Sequence, residues 1–454
     1  MNFVVLNGED IGSPETLAML QAFYSRSPMS IEERLATLDD GTGSGAKEDK
    51  IKAALKRYYV DYGHASIADC GDAVVFIEGV SMLAAKAIQD DPLYNGQECS
   101  TRYLDFSSQA FLASGNFGAG NRHEGGILQT WRELYLAYLP KLKVWARQAY
   151  TPEQVVSAKI KTGDIQSTFE KTCDAIAFDV ARGLLPCGAS TSLAWKGSLR
   201  RLGDRCLELA HHPLAEVRSI GRLAYQHLLD KHPNSFRNRV LNPEDEVGDV
   251  AHYYIQSHTP DEFKEGPVIL SCWMPDGDYV HSEERGVLRS EHDTSHYFNI
   301  GGNIDFGSAR DLLRHRNGVN RVPMVGHLNQ RVTFSTWYSN ILRQVDNHLM
   351  DDVYALFQEV RDLDLAPVDK QYLYPMATNV AVKLIWTRGQ LDYVLPLRTK
   401  TTVHPTLRAW MLELHEDMMV QYPEAIIGTT VDYSPDYTHS DRGNQTIKER
   451  PNAT

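Results

Sequence analysis

Cysteine is scarce and scattered in this chain: six residues in 454, Cys70, Cys99, Cys173, Cys187, Cys206 and Cys272, with no C-x-x-C pair among them. That excludes a disulfide framework and the paired-cysteine motifs of zinc and redox sites, and implies reduced, mostly buried thiols. An excess of positive charge is missing too. Lys and Arg number 46 against 59 Asp and Glu, a net charge of −13, so a general role on a nucleic-acid backbone or an anionic membrane has no electrostatic basis. A small anionic ligand is still admissible, because a local arginine cluster can bind it inside an acidic protein. No stretch approaches the ~20 apolar residues that a membrane span requires. The opening MNFVVLNGEDIGSPETLAML has neither a basic segment nor a long apolar run of the secretory kind. The expectation is a soluble, cytoplasmic protein with no nucleic-acid or membrane partner.

What is present is core-forming material and a repeat. Hydrophobic residues make up 42 % and charged residues 23 % of the chain, enough for two to three domains at ~100–200 residues each. Residues 184–233 and 373–423 share an order of landmarks: a leucine near a proline (Pro186, Pro375), a tryptophan (Trp195, Trp386), His-Pro (His212-Pro213, His404-Pro405), then a helical stretch closed by Pro233 or Pro423. Each His-Pro proline suits the first position of a helix. Apolar residues follow at helical spacing, Leu214, Val217, Ala224 and Leu228 in one stretch and Leu407, Trp410, Met411, Leu414 and Met418 in the other, and are assigned to the core. Self-similarity of this kind reads as two tandem copies of one fold. The division runs 1–240 and 241–435, with a changeover in the polar stretch 236–250 and a tail from 436 to 454 that is expected to be loosely ordered.

Two other features carry less chemistry. The glycine-rich ASGNFGAGNRHEGG, 113–126, lacks the G-K-[ST] ending of a P-loop and reads as a mobile insertion or lid. His292 and His296 lie one helical turn apart but have no third ligand, so a structural role is assigned and no metal is expected.

The chemistry-bearing stretches are two, one in each copy. RDLLRHRNGVNRVPMVGHLNQR, 310–331, places Arg314, His315 and Arg316 together, an arrangement suited to an anion, yet Val322, Pro323 and Met324 follow in place of an acid and a hydroxyl. NGQECSTRYLDF, 95–106, holds Glu98, Ser100 and Arg102 at alternating positions after the helix-like run VVFIEGVSMLAAKAI. In an extended segment these three would line one wall.

On these residues the chain resembles the flavin-dependent thymidylate synthases, whose signature runs R-H-R, a short spacer, then E-x-S-x-R-Y. Here the signature is split. The second copy has R-H-R at 314–316; the first has ECSTRY at 98–103, with Asp90, Asp91 and Pro92 where R-H-R would fall. The same division recurs at the arginine before the L-P landmark, Arg182 against Gln371, and at the late L-R pair, Arg398 against Leu209-Ala210. YGHASIAD, 62–69, is similar to the family's flavin-side H-x-[ST] segment through His64, Ser66 and Asp69, with HDTSHYF, 292–298, as its counterpart, and WKGSLR keeps Arg200 while Ser198 replaces an asparagine.

The resemblance implies a mixed α/β fold of the α+β kind, two tandem copies of a twisted, mostly antiparallel sheet packed with helices. It implies a site assembled from both copies: Glu98, Ser100, Arg102, Arg182, Arg314 and Arg398 on a uracil nucleotide, Arg314 and Arg398 as the catalytic pair, and His315, Arg316, His64, Ser66 and Arg200 on the flavin. The implied reaction transfers a one-carbon unit from methylene-tetrahydrofolate to C5 of dUMP through reduced FAD, with NADPH reducing the flavin. Such chains would dimerise into a pseudo-tetramer that keeps about half of the usual sites. Asp311 stands where the family commonly has glutamine, which keeps open the C5 modification of another uracil nucleotide and, from a different class, a non-catalytic nucleotide-binding or assembly protein.

Overall fold

The computed structural model describes residues 13–24, 31–33, 69–102, 104–118, 123–157, 164–236, 265–273, 296–315, 319–321, 325, 332–426, 428–440 and 448–449. Contacts group the chain into two compact units built from interleaved segments: Met1–Glu78, Leu93–Glu98 and Leu193–Gly248 form one, and Gly79–Pro92, Cys99–Ser192 and Asp249–Thr454 the other. This partition follows contacts rather than ancestry. Helices and mostly antiparallel sheets in each unit give the expected α+β class. No helix among the described residues is long and apolar enough to cross a membrane.

The first unit contains helix α1 (Pro14–Tyr24) and most of a three-stranded sheet. Strand β1 (Asp72–Ser81) lies beside β4 (Ser190–Ser198), which pairs antiparallel with β2 (Asn95–Glu98) on its other side. The run containing β1, read from sequence as helix-like, is strand and then helix: β1 gives way at Ser81 to α2 (Met82–Gln89). Val74, Val75, Ile77 and Val80 favour the pleated conformation, and a short apolar run has no periodicity that separates the two. After β4 come α5 (Leu199–Ala210) and α6 (Ala215–Lys231), whose Leu214, Val217, Ala224 and Leu228 are buried as expected. Pro213 is not the first helical residue, however. It precedes Leu214, which caps α6, whereas Pro405 does occupy the first position of its helix.

The second unit holds α3 (Glu124–Ala149), α4 (Ile165–Ala181), and the sheet β5 (Gly266–Trp273), β6 (Tyr297–Asp305), β8 (Asn379–Thr387), β7 (Val319–Arg321) in that spatial order. Helix α7 (Phe306–Leu312) follows β6; α8 (Thr336–Val345) and α9 (Asn347–Asp362) precede β8; α10 (Arg388–Arg398) and α11 (Pro405–Gln421) follow it. Strand β3 (Leu104–Asp105) pairs in parallel with β9 (Lys448–Glu449). The core takes in fully buried Trp131, Tyr138, Tyr338, Trp386 and Phe298. The glycine-rich loop is partly fixed: Ser114 Oγ donates to Glu124 at 2.6 Å, and the Gly115 N–H to the same carboxylate at 3.2 Å.

Duplication is visible bond by bond. Helix caps recur in equivalent places: Ser81 accepts from the Ala84 N–H and Asp305 from that of Ser308, while Ser198 accepts from Arg201 and Thr387 from Gln390. The two L-P landmarks pair with each other, Pro186 opposite Pro375. The Cys187 N–H donates to Tyr374 O at 2.8 Å, mirrored by Met376 to Leu185 O at 2.8 Å; Gly188 donates to Tyr372 O at 2.9 Å, mirrored by Ala377 to Gly183 O at 2.9 Å. This reciprocity is that of a two-fold axis running between the copies inside one chain. Gly188 permits the approach, since a Cβ there would sit 2.9 Å from Tyr372 O.

The start of the tail, residues 436–440, is packed more closely than its composition implies. Tyr437 is 1 % exposed and Ser440 is buried. Arg408 holds the Asp436 carboxylate at 2.7 Å, and the His439 N–H donates to Gln154 O at 2.9 Å. A polar segment needs no apolar pattern of its own when a buried arginine binds its carbonyls.

Candidate functional site

Strand β2 ends at Glu98, so Glu98, Ser100 and Arg102 do not lie along one extended wall. The chain turns instead, with the Arg102 N–H donating to Ser100 Oγ at 3.2 Å, a local hydroxyl bond that competes with the strand. Glu98 falls in the first unit, and Ser100 and Arg102 in the second. The turn directs Arg102 onto Asp179 of α4. Its Nε and Nη2 donate to the two carboxylate oxygens at 2.7 and 2.8 Å, and Nη1 donates to Thr402 O at 3.1 Å. The carboxylate is fully buried and its partner 13 % exposed, a geometry worth far more than a surface pair.

Arg182, just after α4, is 2 % exposed. Its Nε meets Tyr338 Oη at a long 3.4 Å, and its Nη2 has no hydrogen-bond partner among the described residues. Gly183 makes room for the Tyr338 ring, which would lie 2.4 Å from a Cβ at that position. A buried guanidinium with donor capacity unspent is costly unless a ligand or water takes it up.

From the second copy, α7 ends in Leu313, Arg314 and His315. Arg314 is 48 % exposed and reaches Asp311 at 3.5 Å. His315 is buried. Its Nε2 accepts from Arg398 Nε at 2.6 Å, so the ring is neutral with its proton on Nδ1, and Arg398 Nη2 also donates to Asp311 O at 3.0 Å. R-H-R is thus no uniform solvated face: one arginine looks outward while the histidine fixes a second arginine from α10.

Asp311 lies where these groups meet. Burial opposes its charge, but Arg398, then Arg314, Arg182 and Arg102, outweigh it and hold the carboxyl down to about 2. Of the four, Arg314 meets the carboxylate at 3.5 Å and Arg398 the Asp311 carbonyl at 3.0 Å, while Arg182 and Arg102 lower it through space; all belong to the second unit.

A polar chain backs this cluster. His404 Nε2 lies 3.2 Å from both Asp179 O and Tyr338 Oη, and Nδ1 lies 2.8 Å from Thr406 Oγ1. The carbonyl only accepts, so Nε2 carries the proton. Burial, and after it the charge of Arg182, push the His404 pKa well below its usual value, and burial raises that of the Tyr338 phenol. Thr406 Oγ1 continues to Ser308 Oγ at 2.6 Å.

The flavin-side residues are only partly described. His64, Ser66 and Arg316 lie outside the described residues, as does His292. In the first unit Arg200 Nη1 donates to Asp69 at 3.0 Å, and Ser198 Oγ, while capping α5, donates to the same carboxylate at 3.1 Å. Among the described residues no three His, Cys, Asp or Glu side chains are grouped to hold a metal ion. Sequence reading missed Asp179, Tyr338 and Tyr437 altogether. His404 was seen only as a helix landmark and Asp311 only as a departure from pattern. A basic cluster in an acidic chain was the one signal that could have prompted a search for its counter-ion.

Fold and site define an α+β protein that gathers guanidinium groups from two distant stretches of the chain. Residues 13–234 match the thymidylate synthase complementing protein family. Across 88 % of its length the chain is 24 % identical to a UPF0159 protein of Chlamydia muridarum (strain MoPn / Nigg), spanning 87 % of that protein. It is 26 % identical to a UPF0159 protein of Chlamydia pneumoniae over 48 % of this chain and 43 % of that one. The reciprocal bonds across Pro186 and Pro375 relate the second half to the first.

Proposed function

We propose that this thymidylate synthase-related protein transfers a one-carbon unit from methylene-tetrahydrofolate to C5 of dUMP, using FAD that NADPH reduces. The observation that carries the reading is that the two halves of the split signature come together in space: Arg102 Nη1 donates to Thr402 O, four residues past Arg398, at 3.1 Å, while Arg398 and Arg314 both meet Asp311, at 3.0 and 3.5 Å. Arginine suits both ends of a uracil nucleotide: its fork matches a phosphate dianion, and its permanent charge stabilises negative charge building on the ring when C5 attacks. The unspent Nη2 of Arg182 is a donor for a ring carbonyl or phosphate oxygen, and the outward guanidinium of Arg314 suits the boundary between nucleotide and flavin. Arg314 and Arg398 take the catalytic role, Ser100 and Glu98 support substrate binding, and Arg316, His64, Ser66 and Arg200 would hold the flavin. When bound, FAD supplies the one-carbon carrier and the hydride. The protein supplies placement, charge and exclusion of water. Buried His315 orients Arg398 through Nε2, and any contact it makes with the cofactor uses its other edge.

Asp311 favours one second reading, the C5 modification of a different uracil nucleotide. A carboxylate only accepts, whereas an amide both donates and accepts, so Asp311 alters which ligand groups the site tolerates. The test is an absorbance spectrum of the purified protein from 300 to 550 nm with added FAD, followed by titration with dUMP and other uracil nucleotides. A flavin spectrum perturbed by dUMP supports the first reading, and perturbation by another nucleotide alone supports the second. No flavin binding sinks both and leaves a nucleotide-binding scaffold.

A further inference from the structure

Tyr437 combines three unusual properties. Its backbone is left-handed, with φ of 63°, a conformation that costs a non-glycine residue roughly 1–2 kcal/mol and persists only where the surroundings over-determine it. Its ring is 1 % exposed and packs with Ala146, Phe169, Cys173 and Ile176, meeting the edge of Tyr150 at 5.8 Å. Its hydroxyl donates to Asp179 Oδ2 at 3.1 Å, the same oxygen that accepts from Arg102 Nη2 at 2.8 Å.

The segment around it is tied to the opposite half-site as well. Arg408, 3 % exposed, donates to Asp436 Oδ1 at 2.7 Å, to Asp432 O at 2.6 Å, to Ser434 O and, through Nε, to Thr399 O at 2.8 Å. Thr399 follows Arg398 directly, and the Asp432 N–H donates to Thr399 Oγ1 at 3.2 Å. One end of the segment therefore binds beside Arg398 of the second copy, and the other ends on the carboxylate that aims Arg102 of the first.

We propose that residues 432–440 are a strap that keeps the two half-sites in register, with Tyr437 a positioning residue for Arg102. Asp179 takes two of the Arg102 guanidinium nitrogens and Thr402 O the third; the Tyr437 hydroxyl fixes the carboxylate that receives the pair. A packing anchor would need the ring alone, and would meet neither the strained backbone nor the hydroxyl's choice of a carboxylate already bound by a site arginine.

The strap's bearing on catalysis rests on the proposed nucleotide reading, but its effect on Arg102 does not, so two measurements separate them. The first is labelling of the full-length protein by phenylglyoxal, mapped by peptide mass spectrometry. Tyr437→Phe keeps the ring and removes the hydroxyl. We expect Arg102 labelling to rise several-fold, with unfolding temperature nearly unchanged. The second is steady-state kinetics with dUMP: KM rises about three- to tenfold, the scale of one ordinary lost hydrogen bond, while kcat stays within about twofold. Unchanged labelling and unchanged KM overturn the strap. Raised labelling in a protein that binds no dUMP at all sinks the nucleotide reading and leaves the strap standing. If Tyr437→Phe does not fold, Asp436→Asn takes its place by loosening the Arg408 anchor, and wild-type labelling of Arg102 in that variant overturns the proposal.

Discussion

The ends of α2 and α7 occupy equivalent places in the two copies and have opposite chemistry. Helix α7 runs into Arg314 and His315, whereas α2 runs into Asp90 and Asp91, both anchored by their N–H groups to carbonyls of their own helix, Lys86 O at 2.9 Å and Gln89 O at 2.8 Å. Beside the L-P landmark the contrast repeats. Arg182 keeps a buried Nη2 without a partner, while its counterpart Gln371 uses its carbonyl on the Val325 N–H at 3.0 Å and its amide nitrogen on Val368 O at 2.9 Å. Among the described residues the first place leaves a donor unspent; the second satisfies itself locally. Duplication makes such divergence tolerable, since one intact site is enough for activity while the other position is free to serve stability.

The comparison breaks most visibly at Arg182. Replacing it with the residue of its counterpart, Arg182→Gln, is expected to lower kcat/KM by about 10²–10³-fold, the scale for removing one positioned charge donor; near-wild-type turnover would detach the buried guanidinium from the site. Arg102→Ala and Arg314→Ala should each be inactive. Because both residues lie in one unit of one chain, mixing the two inactive proteins should restore nothing. Recovery in the mixture would mean that the site is completed between chains.

Asp311 gives a smaller effect with a defined pH window. Its folded carboxyl is held down to about 2 from 3.8, so its contribution to stability is full above pH ~4 and is lost as pH falls toward ~2. Asp311→Asn should cost about 2 kcal/mol in denaturant titrations at pH 7, with the gap from wild type closing in acid. A constant gap across that range would remove Asp311 from the centre of the cluster. Smallest is Gln371→Leu, which leaves the Val325 N–H without its acceptor. A loss of about 1 kcal/mol with unchanged dUMP affinity would sharpen the contrast, and a loss of binding would end it.

Much of this was legible in order and pattern. Helical periodicity identified buried Leu407, Trp410, Met411, Leu414 and Met418, and the order of landmarks singled out Pro186 and Pro375, which pair with each other. Illegible were the acidic and aromatic partners: Asp179 sits in the last turn of IQSTFEKTCDAIAFDVA and looks like any solvated acid until Arg102 folds onto it. Tyr437 lies in a polar tail whose order comes from Arg408, a residue on another element. The extended reading of 98–102 failed for a local reason, because a serine hydroxyl that captures the next-but-one N–H ends the strand.

By itself the sequence determined what is carried in covalent order: two copies, their caps and core stripes, and which arginines each copy retained. Only the tertiary structure decided how these pieces meet. Charge, burial and proton position depend on distances between residues far apart in the chain, so His315 accepting from Arg398, Asp311 lowered by four arginines, and Tyr437 bound to Asp179 exist only once both copies fold against each other across Pro186 and Pro375.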